Sequence, residues 1–170
     1  MPTIHVCALS KIADEVRATG ARTLVTLINA QTPVLRPGAI AAERHLSIPM
    51  SDITAPLDGH IVPGDGHIGE FLAFVRAWDR AAPMLIHCYA GVSRSTAGAF
   101  IAACALNPAR PEADIAQAIR ARSPTATPNP LMVALADRVL ARQGRMVAAV
   151  EAIGRGEDCF EGVPFKLDLA

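Results

Sequence analysis

The sequence predicts a single α/β domain in which helices flank a central, mainly parallel sheet. Short apolar runs alternate with segments of helical periodicity along most of the chain, a pattern typical of α/β proteins. The run just before His87 is continuously apolar, as expected of a parallel strand covered on both faces. A length of 170 residues is most simply one domain with a substantial core.

Four strands follow from runs of β-branched and apolar residues that end at turn-forming residues. They are predicted at residues 3–9, 22–28, 43–50 and 84–87. The second run is bounded by Asn29 and Pro33, and the third leads into Ser51 and Asp52. These strands should form the parallel part of the sheet.

Helices are predicted where apolar residues recur at helical spacing or where capping residues mark an end. They cover residues 11–19, 67–80, 95–106, 111–122 and 130–153. Ser10 is the expected N-cap of the first helix, and Gly20 ends it. Asp65 is the expected cap of the second helix, and Gly144 divides the last one.

Composition and charge limit the class of protein that this chain can be. It is 51% hydrophobic and 19% charged, with sixteen basic and sixteen acidic residues, which is ordinary for a globular protein. Zero net charge gives no electrostatic reason to expect nucleic acid or an anionic membrane as partner. No secretory signal or membrane-spanning run is recognisable, so a cytoplasmic location is expected. The domain should span residues 1–154, with residues 155–170 as a loosely packed tail.

The four cysteines do not form a C-x-x-C pair, so neither a zinc ribbon nor a thioredoxin-type redox site is indicated. In a reducing compartment they are expected to be free thiols. Cys7, Cys104 and Cys159 are each expected to be small apolar fillers. Cys88 differs because it lies between a predicted buried strand and a predicted helix.

The stretch HCYAGVSRST, residues 87–96, combines features of an anion-binding loop. Cys88 ends a central strand, where open α/β sheets place their ligands, and Arg94 opens a helix whose free N–H groups favour an anion. The residues between them are expected to wrap their backbone amides around a tetrahedral oxyanion. These residues are Tyr89, Ala90, Gly91, Val92 and Ser93.

The side chains of this loop suit nucleophilic attack on phosphorus. Arg94 supplies a planar fork that can hold two phosphate oxygens, and the amides, the helix terminus and the arginine all favour the thiolate form of Cys88. A thiolate placed beneath the phosphorus would attack in line and form a phosphocysteine intermediate. Ser95 could hydrogen-bond the sulfur and ease its departure. His87, on a buried strand, is expected to orient backbone rather than move protons.

The stretch HCYAGVSRS resembles the signature of the protein tyrosine phosphatase superfamily, and its Ser-Arg-Ser ending resembles the dual-specificity branch. The resemblance covers roughly residues 46–135. It implies a phosphotyrosine protein phosphatase-like fold, a phosphocysteine mechanism and no metal or other cofactor. SPTATPNP, residues 123–130, is similar to the family segment whose asparagine braces the phosphate loop, which gives Asn129 that role; a simple helix cap before Pro130 is the alternative.

The resembling enzymes also use an aspartate, placed after an upstream strand, to protonate the leaving oxygen. Asp52 holds the matching place directly after the third predicted strand. The loop that follows is longer than in relatives, so spacing from the cysteine alone would select Asp58 instead. Asp52 is the preferred general acid, and Asp65 is expected to cap a helix.

The same loop contains a doubled Asp-Gly-His, at residues 58–60 and 65–67, which could be interpreted as ligands for zinc or iron. Asp-Gly is, however, a common turn dipeptide, and neither His60 nor His67 has an i, i+4 partner that would fix ligand geometry. No metal site is therefore predicted.

The charge of the loop residues bears on substrate choice. The five loop residues carry no positive charge, whereas resembling enzymes that act on multiply phosphorylated inositides tend to have basic residues there. A phosphorylated protein, on tyrosine or on serine and threonine, or a small aryl phosphate is the expected substrate. Two alternatives stay open, a catalytically inactive phosphate-binding module and a rhodanese-like sulfurtransferase.

Overall fold

The computed structural model describes residues 1–169 and contains one five-stranded sheet. The strands are β1 (Thr3–Ala8), β2 (Thr23–Ile28), β3 (His45–Pro49), β4 (Met84–Cys88) and β5 (Phe165–Asp168). Their order across the sheet is β3-β2-β4-β1-β5. The first four are mutually parallel and β5 runs antiparallel to β1, which confirms the mainly parallel sheet.

Six α-helices lie on the two faces of this sheet. They are α1 (Ile12–Thr19), α2 (Asp65–Ala77), α3 (Arg94–Leu106), α4 (Glu112–Arg122), α5 (Pro130–Val139) and α6 (Arg145–Ile153). On one face, Ile12 and Val16 of α1 bury a small cluster with Leu24 and Leu85. The larger hydrophobic core, on the other face, contains residues of the remaining five helices.

Helix α3 is the element that positions the loop after β4. All its residues from Arg94 to Cys104 are buried. A Cβ built on Gly98 would lie 3.0 Å from Leu27 Cδ1 and 3.2 Å from Ile86 Cγ2, so the glycine lets the helix pack closely on the two central strands. This close packing fixes the helix N-terminus at the carboxyl end of β4.

Two predicted caps are wrong. The first helix is preceded by a short 3-10 turn at Leu9–Lys11, and the Ser10 hydroxyl donates to the Glu161 carboxylate instead of capping. Asp65 is the first residue of α2, and its carboxylate pairs with Arg138. The free N–H of Gly64 is instead satisfied by the ring nitrogen Nδ1 of His67, at 3.1 Å.

The predicted helix ends at two glycines are confirmed. Gly20, with φ of 71°, ends α1 in the left-handed conformation that glycine adopts without steric cost. Gly144, with φ of 84°, separates α5 from α6. The long C-terminal helical segment is therefore two helices.

The C-terminal tail is not loosely packed, contrary to the prediction. Residues 165–168 form the edge strand β5, and Phe165, Leu167 and Leu169 are buried. Their alternation with exposed or half-buried residues is that of a strand with one face on the core. Four residues are too short a run for such a pattern to stand out in the sequence.

Cys7 and Cys104 are buried fillers as predicted, but Cys159 is exposed, contrary to the prediction. Burial raises the pKa of the Cys104 thiol to about 12 and also raises that of Cys7, so both stay protonated at neutral pH. Within residues 1–169, no helix is both long and apolar enough to cross a membrane.

Candidate active site

The loop of residues 89–93 joins the last residue of β4, Cys88, to the first residue of α3, Arg94. Gly91 turns the loop back against β1 with φ of 72°. A Cβ at this position would lie 2.8 Å from the backbone nitrogen of Ala8 and equally close to the carbonyl carbon of Cys7. Only glycine satisfies both the conformation and the close approach.

The carbonyl groups around this loop are held from outside by other parts of the chain. The pairs are Cys88 O with His87 Nδ1 (3.0 Å), Tyr89 O with Leu9 N (3.0 Å), Ala90 O with Gly162 N (2.8 Å), Val92 O with Thr127 N (2.9 Å), and Ser93 O with Asn129 N (3.2 Å). In each pair the nitrogen donates. The loop is thus fixed by four separate segments.

The backbone N–H groups of residues 89–94, in contrast, donate to no acceptor within residues 1–169. In a planar trans peptide the C=O and N–H groups point in opposite directions. Carbonyls that are bound outside the loop therefore turn the N–H groups towards its inside. Successive free N–H groups of this kind form a concave site for an anion, here next to Cys88.

Arg94 is buried, with 6% of its surface exposed, and is held on one side only. Its Nη1 donates to Asn29 Oδ1 at 2.7 Å and to the Met50 carbonyl at 2.8 Å. Its Nε is buried and has no hydrogen-bond partner among the described residues. A buried cationic donor without an acceptor is costly, so the guanidinium is preorganised to meet an anion.

Ser95 lies beside the sulfur. Its Oγ is 3.1 Å from Cys88 Sγ, and both residues are buried. The hydroxyl can donate to a thiolate at this distance, because sulfur accepts hydrogen bonds at longer range than oxygen does. Ser95 is therefore the side chain that can stabilise negative charge on the sulfur directly.

Asp52 is brought to the loop, whereas Asp58 is not. Asp52 Oδ1 accepts from Ser93 Oγ at 2.7 Å and from Asn129 Nδ2 at 2.9 Å, which leaves Oδ2 free within the described chain. Asp58 lies in a turn closed by the bond from His60 N to Leu57 O, at 3.1 Å, and makes no hydrogen bond to the loop. Asp52, the aspartate directly after β3, therefore contacts the loop, whereas Asp58, which spacing alone would select, does not.

Asn129 caps a helix, and its side chain is linked to the loop only through Asp52. Its Oδ1 accepts from Met132 N at 3.1 Å, which caps α5. Its Nδ2 donates to Asp52 and, at 3.3 Å, to the Ile53 carbonyl, while its backbone N–H donates to Ser93. The cap and the hydrogen bond to Asp52, here called the brace, are compatible because they use opposite ends of one amide.

His87 is completely buried and oriented by two hydrogen bonds. Its Nδ1 donates to Cys88 O at 3.0 Å, and its Nε2 lies 2.7 Å from Thr26 Oγ1. Burial is the main cause that lowers the pKa of His87 to about 4, so the ring is neutral at neutral pH. The contacts suit a residue that orients backbone, as the sequence indicated.

Residues 154–164, here called the C-terminal strap, cross beside the loop before entering β5. Gly156 N donates to Thr127 Oγ1 at 3.0 Å, Glu157 N to Pro124 O at 3.0 Å, and Gly162 N to Ala90 O. The strap forms one wall of an open cleft of about 260 Å³ whose other walls include Asp52 and Ser93. The tail therefore lines a cleft beside the loop.

The doubled Asp-Gly-His is used for local structure. His67 accepts from the N–H that precedes α2, and His60 Nδ1 lies 3.3 Å from Ser51 Oγ. Among residues 1–169 no three His, Cys, Asp or Glu side chains are grouped as metal ligands would be.

Three contacts of the site were missed by sequence reasoning. Asn29 was considered only as a turn residue that ends a strand, yet it anchors Arg94. Gly162 and Thr26 had no distinguishing signal, because each acts through a partner distant in sequence.

Solved structures of phosphatases share this architecture. Human DUSP28 aligns with a TM-score of 0.64 and 21% identity, over 84% of this chain and 96% of that one. DUSP15 aligns with a TM-score of 0.64 and 22% identity, over 93% and 96% respectively. The PTP-2 phosphatase of Cydia pomonella aligns with a TM-score of 0.62 and 19% identity, over 79% and 84%.

No protein-family profile and no curated protein sequence matches this chain. At sequence identities of 19 to 22%, the structural similarity establishes the fold alone. The chain has the fold of the dual-specificity phosphatases.

Proposed function

We propose that this protein is a cysteine-dependent phosphatase that hydrolyses phosphate monoesters through a phosphocysteine intermediate. The observation that carries the proposal is the set of backbone N–H groups of residues 89–94, directly after Cys88, that have no acceptor in the described chain. The unpartnered Nε of buried Arg94 adds a cationic donor to the same site. A dianionic phosphoryl group supplies acceptors for all of these donors.

In the first step the Cys88 thiolate attacks phosphorus, a P–S bond forms and the P–O bond to the leaving group breaks. The amides and Arg94 stabilise the charge on the equatorial oxygens of the transition state. The leaving oxygen needs a proton, and the free Oδ2 of Asp52 is the candidate donor, since Oδ1 is held by Ser93 and Asn129.

In the second step a water molecule attacks phosphorus, the P–S bond breaks and inorganic phosphate leaves. Asp52, now a carboxylate, accepts the proton of the water. Ser95, at 3.1 Å from the sulfur, donates a hydrogen bond to the departing thiolate and lowers the barrier to its release. Cys88 and Asp52 return to their starting states at the end of the cycle.

The substrate class is proposed to be phosphotyrosine, or phosphoserine and phosphothreonine, in proteins. The loop adds no side-chain cation besides Arg94, and the cleft next to it is open on one side of the site. A single phosphoryl group on an extended chain fits this arrangement. DUSP28, DUSP15 and PTP-2, which share the fold, are phosphatases by name.

The test is hydrolysis of p-nitrophenyl phosphate in the presence of a metal chelator. The wild type should turn over, while Cys88→Ser and Arg94→Ala should each lose at least about 100-fold in kcat/KM. Cys104→Ala, at a buried cysteine near the far end of α3 from the loop, is the matched control and should retain full activity.

Two other results would overturn the proposal. A folded wild type that binds inorganic phosphate without hydrolysing any aryl phosphate or phosphopeptide would be a phosphate-binding module. Transfer of sulfur from thiosulfate to cyanide, lost in Cys88→Ser, without phosphate release would identify a sulfurtransferase.

A further inference from the structure

A continuous path of hydrogen bonds connects the edge strand β3 to the backbone of Cys88. His45 Nε2 lies 2.8 Å from Thr26 Oγ1, and Thr26 Oγ1 lies 2.7 Å from His87 Nε2. His87 Nδ1 lies 3.0 Å from the carbonyl oxygen of Cys88. Thr26 and His87 are buried, whereas His45 is half-buried at the edge of the sheet.

The direction of every hydrogen bond in this path follows from the chemistry of its members. A carbonyl oxygen only accepts, so His87 Nδ1 carries a hydrogen. Since burial keeps His87 neutral, its Nε2 has no hydrogen and accepts from the Thr26 hydroxyl. The single hydroxyl hydrogen of Thr26 is then used, so its oxygen accepts from His45 Nε2–H.

The end of the path sets the orientation of one peptide group. The carbonyl of Cys88 and the N–H of Tyr89 belong to the same planar trans peptide and point in opposite directions. A hydrogen bond that holds the carbonyl outside the loop therefore holds the Tyr89 N–H inside it. This N–H is the first of the free amides next to the sulfur.

We propose that His45 and Thr26 are positioning residues, which fix the His87 tautomer and thereby hold the first amide of the phosphate-binding loop in place. This inference rests on the proposed function of the loop. Neither side chain makes a hydrogen bond to residues 89–93, and neither residue has a place in the sequence signature of residues 87–95. Their effect is expected on the thiolate and on the transition state, not on substrate contact.

The experiment compares variants that keep or remove one hydrogen bond. Thr26→Val removes the hydroxyl at nearly constant volume, and Thr26→Ser keeps it. His45→Leu removes the donor, and His45→Gln offers an amide N–H at about the reach of Nε2. Ser47→Ala is the control, because Ser47 lies on the same face of β3 and makes no hydrogen bond to Thr26.

Two readouts are measured, kcat and KM for p-nitrophenyl phosphate and the rate at which iodoacetate alkylates Cys88 at about pH 6. Alkylation reports the thiolate, and mass spectrometry of the Cys88 peptide separates it from exposed Cys159. Thr26→Val and His45→Leu should each slow alkylation and lower kcat about tenfold. Thr26→Ser, His45→Gln and Ser47→Ala should stay within about twofold of the wild type.

The proposal is overturned if the folded Thr26→Val and His45→Leu variants have a lower melting temperature but the same Cys88 alkylation rate and the same kcat as the wild type. It is also overturned if Ser47→Ala has the same effect as they do. Alkylation does not require turnover, so a protein without phosphatase activity would refute the proposed function and still allow the positioning role to be tested. His45, on an edge strand, serves as the second test if Thr26→Val does not fold.

Discussion

The backbone N–H of Gly162 donates to the carbonyl of Ala90 at 2.8 Å, which ties the C-terminal strap to the loop of residues 89–93. A Cβ at Gly162 would lie 3.0 Å from the Gly91 carbonyl oxygen. The strap therefore approaches the loop more closely than a residue larger than glycine allows. This close approach lets Gly162 N–H bind the Ala90 carbonyl on the outside of the loop, and the loop N–H groups stay free. The edge strand β5 anchors the strap on the sheet.

Gly162→Ala should therefore impair the loop. The added Cβ requires a shift of a few tenths of an ångström in the loop or the strap, and we expect about a tenfold loss in kcat/KM for an aryl phosphate. Gly38→Ala is the control, since a Cβ at Gly38 meets no atom within 4 Å. Equal activity of the two variants in steady-state kinetics would show that the strap does not position the loop.

Asp52→Asn should lower kcat by about 100-fold with phenyl phosphate, whose leaving oxygen needs a proton, and by much less with p-nitrophenyl phosphate. Asp58→Asn should leave both substrates unaffected, because Asp58 makes no hydrogen bond to the loop. Steady-state kinetics with the two esters checks both expectations. A leaving-group dependence that changes in Asp58→Asn and not in Asp52→Asn would reverse the assignment.

Asn129→Ser separates the cap from the brace. Serine is an N-cap residue and should preserve the stability of α5, but it cannot reach Asp52 as the Asn129 Nδ2 does. We expect an unfolding free energy within about 0.5 kcal/mol of the wild type and a kcat lowered about tenfold. Chemical denaturation and kinetics measure the two effects, and an unchanged kcat would leave Asn129 as a cap only.

The neutral His87 makes stability depend on pH. Its pKa falls from 6.5 in the unfolded chain to about 4 in the folded protein, so the unfolded state binds the proton more readily between these values. Stability due to this group is complete above about pH 6.5 and is lost as the pH falls towards 4, by about 3 kcal/mol.

His87→Asn provides the comparison, because its side-chain N–H can still donate to Cys88 O but does not titrate. Denaturant unfolding at several pH values should give a shallower loss of stability for this variant than for the wild type. His5, whose pKa is also lowered, mainly by burial, contributes equally to both proteins. His45 hydrogen-bonds to Thr26 beside His87, so it is replaced by Gln in both proteins and does not titrate. Parallel pH profiles of the two proteins would contradict the account.

Much of the fold could be predicted because its signals are local. The continuous apolarity before His87 and the left-handed glycines at Gly20 and Gly144 each act through neighbours in the sequence. The loop could be predicted for the same reason, since Cys88, Gly91 and Arg94 lie within one short stretch. Asp52, preferred because of its position directly after a strand, lies beside the loop.

The contacts that were missed depend on pairs far apart in the chain. The anchor Asn29 meets Arg94 only because β2 and β4 are adjacent in the sheet. Likewise, Gly162 reaches Ala90 only because β5 pairs with β1, and the four residues of β5 are too few to be recognised as a strand. Such pairings follow from the sheet order, which the sequence pattern did not specify.

The most direct test of the central claim is detection of phosphocysteine on Cys88. Ser95→Ala should slow the second step, because the departing thiolate loses its hydrogen bond, so the intermediate accumulates. Acid quenching during turnover of p-nitrophenyl phosphate, followed by peptide mass spectrometry, should find one phosphoryl group on the peptide that contains Cys88. Turnover by this variant with phosphate on another residue, or with Cys88 unmodified throughout a pre-steady-state time course, would contradict the mechanism.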